Sequence, residues 1–152
     1  MDTLTELQLL GKIVIAALLG GVVGTERELA QKPAGLRTHM LVGGLSALLV
    51  ILANQMVLSF DQQSLISTDP IRILQAIVVG ISFLGAGTIL KYGAEVPRTV
   101  GLATGASILA VSAIGIAVAL NAYILASGTT LLSVFINWGM MPLIKKLNAK
   151  TK

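Results

Sequence analysis

Apolar residues fall in long blocks separated by short polar stretches, the pattern of helices that cross a membrane. The first block runs from about Leu7 to Gly24, the second from about His39 to Phe60, and the third from Ile71 to Leu90. Pro33, Pro70 and Pro97 stand in the polar stretches that bound them, where proline and glycine end helices. From Val100 to Ile144 the chain stays apolar for 45 residues, with Asn121 in the middle. That is too long for one crossing even with tilt. It predicts two helices meeting at a tight turn near Leu120 to Ala122. The expected fold class is all-α, a polytopic membrane protein of five transmembrane helices. Acidic Asp2 and Glu6 flank the start of the first block, where a secretory signal would be basic, so this helix is read as retained.

Composition agrees with this reading. Of 152 residues, 55% are apolar, 12% charged and 4% aromatic, with a mean hydropathy of +0.87. A soluble domain would carry roughly twice that charged fraction. Five crossings of ~20 residues take ~100 and leave ~52 for every loop and both tails, so no soluble domain fits beside them. Residues 1–144 read as one transmembrane domain and 145–152 as a basic cytoplasmic tail. With no Cys and one His, the chain cannot build disulfides, Cys-based iron–sulfur sites or the usual tetrahedral zinc site. No cofactor is expected.

The 11 Lys and Arg outnumber the 7 Asp and Glu, for a formal charge of +4. An aromatic-poor chain with its bases confined to loops is no nucleic-acid binder; the basicity is a topology signal. Lys and Arg in short loops concentrate on the cytoplasmic side. Five spans with the N-terminus outside and the C-terminus cytoplasmic put Arg27, Lys32, Arg37, Lys91, Arg98, Lys145, Lys146, Lys150 and Lys152 inside, nine of the eleven. Only Lys12 and Arg72 fall outside, and Lys12 can snorkel to the interface. So marked a bias argues against a protein that inserts both ways, as small multidrug transporters do.

Lipid gives helices little hydrophobic reason to associate, so close approach depends on small residues. Gly20 and Gly24 make such a face in helix one, Gly43 and Ala47 in helix two, and Gly101 and Gly105 in helix four, while Gly80, Gly85 and Gly87 crowd helix three. The run Gly85-Ala86-Gly87-Thr88 would permit a kink or local unwinding. Helix one ends in Glu26-Arg27-Glu28; at ~100° per residue, Arg27 and Glu28 continue the Gly20/Gly24 face and Glu26 points away. The cluster is either an interfacial end marker or a carboxylate-lined cytoplasmic mouth suited to a hard cation or a partner's basic group. The next loop delivers Gly35, Arg37, Thr38 and His39 to the start of helix two. Arg37 would pair with Glu26 or Glu28 and fix the register of helices one and two. Asp69-Pro70 is a helix N-terminus by its chemistry, with Arg72 placed to pair with Asp69. Gln75, Ser82, Thr104 and Ser107 are read as interhelical hydrogen-bonding groups. The sequence has no Walker A, GxSxG, HExxH or strand-linked GxGxxG motif. His39 with Ser46, Ser82 or Ser107 would make a dyad, but no Ser stands in a nucleophile motif.

At these residues the sequence resembles the MgtC/SapB family of bacterial inner-membrane proteins. The likeness is carried by five ordered blocks: Gly20 to Glu28, Ala34 to Val42, Asp69 to Ile73, Gly80 to Ile89 and Val100 to Ser107. The last departs from a family GLTTAAS pattern at Ala103 and Gly105. Longer members carry a soluble C-terminal regulatory domain, so the resemblance implies a short, membrane-only form. It implies a bacterial plasma-membrane protein linked to magnesium homeostasis and to virulence, through growth at low magnesium or inside host cells. Some members are thought to restrain the membrane ATP synthase.

Residues carried over by the match are Glu26, Arg27, Glu28, Gly35, Arg37, Thr38, His39, Asp69, Arg72, Gly85 and Gly87. The expected function is therefore a non-enzymatic regulator, homo-oligomeric through its glycine faces and embedded in the lipid bilayer, acting on a membrane complex such as the ATP synthase. The alternative is a transporter or channel for a cation such as Mg²⁺.

Overall fold

The computed structural model describes residues 2–61, 69–92 and 98–139. Five α-helices account for most of them: α1 Thr3–Leu29, α2 Leu36–Asp61, α3 Pro70–Gly87, α4 Leu102–Ala119 and α5 Tyr123–Val134. A π-helical segment, Phe135–Gly139, continues α5. Between α3 and α4 the backbone makes a small antiparallel ribbon, β1 Leu90–Tyr92 against β2 Arg98–Val100, with Leu90 opposite Val100. An all-helical reading did not anticipate it. The 145–152 tail lies outside the described residues.

Three of the helical spans, Thr3–Leu29, Leu36–Ser59 and Leu102–Ala119, are long and apolar enough to cross a membrane, whereas the apolar part of α3, Ile71–Gly87, is shorter. Large apolar side chains also cover the outside: Leu18, Phe83, Ile124 and Trp138 are all exposed. A helix whose outer face is as apolar as its inner face suits a hydrocarbon solvent.

α1, α2 and α4 pack mutually and form the centre, with α3 against α4 and α5 against α4 and α1. The core of Ala16, Val23, Ala47, Val111, Ile114 and Val118 is completely buried. Bare backbone sets the approach. A Cβ on Gly20 would lie 2.5 Å from the His39 carbonyl oxygen, and one on Gly43 would lie 2.6 Å from that of Ala16. One on Gly115 would strike the Gly43 carbonyl oxygen. The Gly20/Gly24 face therefore meets α2 as its spacing predicts, and Gly85 and Gly105 face each other where α3 crosses α4. Gly80 and Gly87 face open space.

Two expectations for glycine need correction. Gly101 is not on a helical face: it is the N-cap of α4 with φ +92°, a conformation that L-residues resist. A Cβ there would also collide with the Thr88 carbonyl. The Gly85-Ala86-Gly87 run does not unwind α3, which stays α-helical to Gly87 and stops at Thr88. The Thr88 hydroxyl donates back to the Gly85 carbonyl at 2.7 Å.

The ends follow local chemistry. Asp69 accepts from the Ile71 amide at 2.9 Å, Pro70 opens α3, and Arg72 pairs with Asp69 at 3.8 Å. This is the cap and ion pair the sequence predicts. The 45-residue apolar run divides at Asn121, whose φ of +62° turns the chain between α4 and α5; asparagine tolerates this left-handed region better than most residues.

Candidate functional site

Arg27, 3% exposed, lies in the last turn of α1 and points into the bundle. One guanidinium nitrogen, Nη2, donates to Thr104 Oγ1 of α4 at 3.0 Å. The other, Nη1, donates to Asn137 Oδ1 of the π-helical segment at 3.2 Å. Its Nε is buried and has no partner among the described residues. Among the described residues, no carboxylate pairs with it, since Asp69–Arg72 is the one ion pair there. A single planar fork thus ties α1, α4 and the segment after α5 together, which Arg suits because its donors diverge at fixed angles.

His39, in the first turn of α2, is completely buried. Its Nδ1 lies 2.8 Å from the Gly35 carbonyl oxygen and its Nε2 lies 3.0 Å from Ser107 Oγ. A carbonyl only accepts, so Nδ1 carries a proton, and in the neutral ring Nε2 accepts from Ser107. Ser107 Oγ is also 2.9 Å from the Thr104 carbonyl oxygen. One hydroxyl proton serves either acceptor. Thr104 therefore belongs to both halves of the cluster: its hydroxyl takes Arg27 and its carbonyl takes Ser107. Farther along the same two helices, Ser46 of α2 donates to Ser112 of α4 at 3.1 Å and adds a second α2–α4 bond.

The two glutamates divide. Glu28 Oε2 accepts from the amide of Leu36, the first residue of α2, at 2.9 Å, so the end of α1 caps its neighbour. A Cβ on Gly35 would overlap that carboxylate, which gives Gly35 a steric reason. Glu26 is half-buried, with a buried Oε2 that has no partner. The expected Arg37 pair with Glu26 or Glu28 is not formed: Arg37 is exposed and makes no ion pair among the described residues. The reason is that Glu28 is committed to the α2 amide while Arg37, at the second position of α2, faces outward. Thr38 is exposed as well. Glu28→Ala is accordingly expected to cost about 1 kcal/mol through the lost cap. Arg37→Ala should change stability by less than about 0.5 kcal/mol. Thermal unfolding in detergent checks both.

Arg27, Glu28, Gly35 and His39 are thus brought to one end of the bundle, while Asp69 and Arg72 lie at the opposite end, beside the start of α3. The Ser107–His39 pair has a hydrogen-bond length suited to a dyad, yet both residues are enclosed. Asn137 is the partner that sequence reasoning missed. Its only local signal is an amide inside an apolar run, as with Asn121, and it stands 110 positions from Arg27.

The residues that build this end lie within a wider likeness to known proteins. A model of the MgtC family matches residues 13–146. The chain belongs to the MgtC family. YhiD of Escherichia coli (strain K12) is 40% identical over 115 residues, 74% of this chain and 51% of the relative. SapB of Bacillus subtilis (strain 168) is 37% identical over 112 residues, 74% of this chain and 47% of the relative. MgtC of Brucella abortus (strain 2308) is 36% identical over 134 residues, 87% of this chain and 51% of the relative. This MgtC-family chain spans about half the length of the curated relatives it matches. No solved structure matches it.

Proposed function

We propose that this chain is a non-enzymatic regulator in the bacterial inner membrane, linked to magnesium homeostasis, that acts by binding a larger membrane complex such as the ATP synthase. The observation that carries this reading is the charge at the heart of the cluster. Its buried charged side chain is the Arg27 cation, 3% exposed and close to the fully buried His39, and the carboxylate of Glu28, next in sequence, is occupied by a backbone amide. Mg²⁺ demands several oxygen ligands in near-octahedral geometry and is repelled by a buried guanidinium. Among the described residues, no three His, Asp or Glu side chains gather as a metal-holding group. The centre between α1, α2 and α4 is filled by backbone against backbone at Gly20, Gly43 and Gly115, so this centre is a fixed body that presents outer faces to a partner.

Cation transport is the second reading. It is favoured by the name of YhiD, which proposes magnesium transport, and by the buried oxygen of Glu26 that has no partner among the described residues. Mg²⁺ flux into dye-loaded liposomes holding the purified chain distinguishes the two. The regulatory reading expects no more flux than protein-free vesicles give, together with recovery of a larger complex when tagged protein is crosslinked in native membranes. Flux that Glu26→Gln abolishes, or crosslinking that recovers only the chain itself, sinks it.

A further inference from the structure

At the end opposite Arg27, the start of α1, the end of α2, the start of α3 and the α4–α5 turn surround a cleft of about 500 Å³, within the range of small-ligand sites. Its walls include Leu9, Val57 and Leu74, and its polar groups include Lys12, Asn54, Gln55 and Asn121. Leu9 and Lys12 are three positions apart and share a face of α1. Lys12 is half-buried in the apolar stretch of that helix. It is one of the two cations that the charge bias along the sequence leaves on the wrong side.

Among the residues whose side chains the structure describes, no carboxylate pairs with Lys12. Asp69 is engaged by the Ile71 amide and by Arg72, and Asp2 and Glu6 are exposed. An ammonium half-removed from water calls for an anion, and this one lines the cleft together with the carboxamides of Asn54, Gln55 and Asn121. Apolar walls combined with a cation and carboxamide N–H donors suit an amphiphile with a single negative charge at its head.

We propose that this cleft binds an anionic phospholipid. The headgroup phosphate accepts from Lys12 Nζ and the neighbouring carboxamides, and an acyl chain lies along Leu9, Val57 and Leu74. A zwitterionic lipid brings a second, cationic group, and among the described residues no carboxylate lines the cleft, so the site selects for net negative charge.

The test is native mass spectrometry of the purified full chain titrated with phosphatidylglycerol and phosphatidylcholine of identical acyl chains. The expected result is about fivefold tighter binding of phosphatidylglycerol, the ratio one basic group gains at an anionic surface. Lys12→Gln should abolish that preference, and Lys12→Arg should keep it. Arg72→Gln, which removes the other cation of this end, should leave it intact. Leu74→Trp, which fills the cleft and keeps every charge, should weaken both lipids. Equal binding of the two lipids, a preference that survives Lys12→Gln, its loss in Arg72→Gln, or displacement of phosphatidylglycerol by millimolar inorganic phosphate overturns the proposal.

Discussion

Replacing Gly115 by alanine is expected to force α4 away from α2 and to cost about 2–3 kcal/mol, among the largest effects of any single methyl group in the chain. The added Cβ would strike the Gly43 carbonyl oxygen and lie 3.0 Å from Ser46 Cβ. Neither neighbour can rotate away, because one is a backbone oxygen of α2 and the other is a Cβ whose position the α2 backbone fixes. The change also acts on the Arg27 end, since α4 carries Thr104 and Ser107. Gly80→Ala is the matched control. The same methyl group there meets nothing within 4 Å, and alanine in an exposed helix interior favours the helix by about 1 kcal/mol. Thermal unfolding of the two variants in one detergent should move in opposite directions. A Gly115→Ala protein as stable as the unaltered chain would mean that α2 and α4 do not touch through bare backbone.

Arg27 gives the second large effect, with an order among substitutions that charge alone would not predict. Arg27→Lys keeps the charge but cannot reach Thr104 Oγ1 and Asn137 Oδ1 together, and it buries a more strongly hydrated ammonium. It should cost about 2–3 kcal/mol. Arg27→Met fills much of the same volume and removes the desolvated charge. The Thr104 hydroxyl can then bond to a carbonyl of its own helix, so the loss should be about 1 kcal/mol or less. Both variants release the α1 tie to the segment after α5. Under the proposed regulatory function, both should therefore reduce recovery of a crosslinked complex while differing in thermal stability. If Arg27→Met is as damaging as Arg27→Lys, the native guanidinium has a counter-charge, and the case built on its being a lone buried cation fails.

Much of the scaffold is local and therefore legible in the chain itself. The cap at Asp69-Pro70 with its Arg72 pair needs four consecutive residues, and the turn at Asn121 needs one polar residue in an apolar run. The Gly20/Gly24 face follows from helical period alone. The Arg37 pairing fails for a reason no local pattern contains. Glu28 is nearer in space to the bare amide of Leu36, and Gly35 lacks the side chain that would have blocked it. Gly101 was read as a packing position because its spacing to Gly105 fits a helix. The helix begins one residue later, and the backbone there is left-handed.

The sequence by itself determined that apolar blocks would become helices in a hydrocarbon setting, where the divisions between them fall, and which family the chain resembles, because these depend on hydropathy and short-range backbone chemistry. Only the tertiary structure decided what the polar residues do. Arg27 meets Thr104 and Asn137, 77 and 110 positions away, and His39 meets Ser107, 68 positions away. These partners are chosen by how α1, α2, α4 and the segment after α5 meet, and the crossings of α1, α2 and α4 are set by which glycines face a carbonyl. One-dimensional spacing names a polar group that needs a partner inside a membrane; the packing of distant helices supplies it.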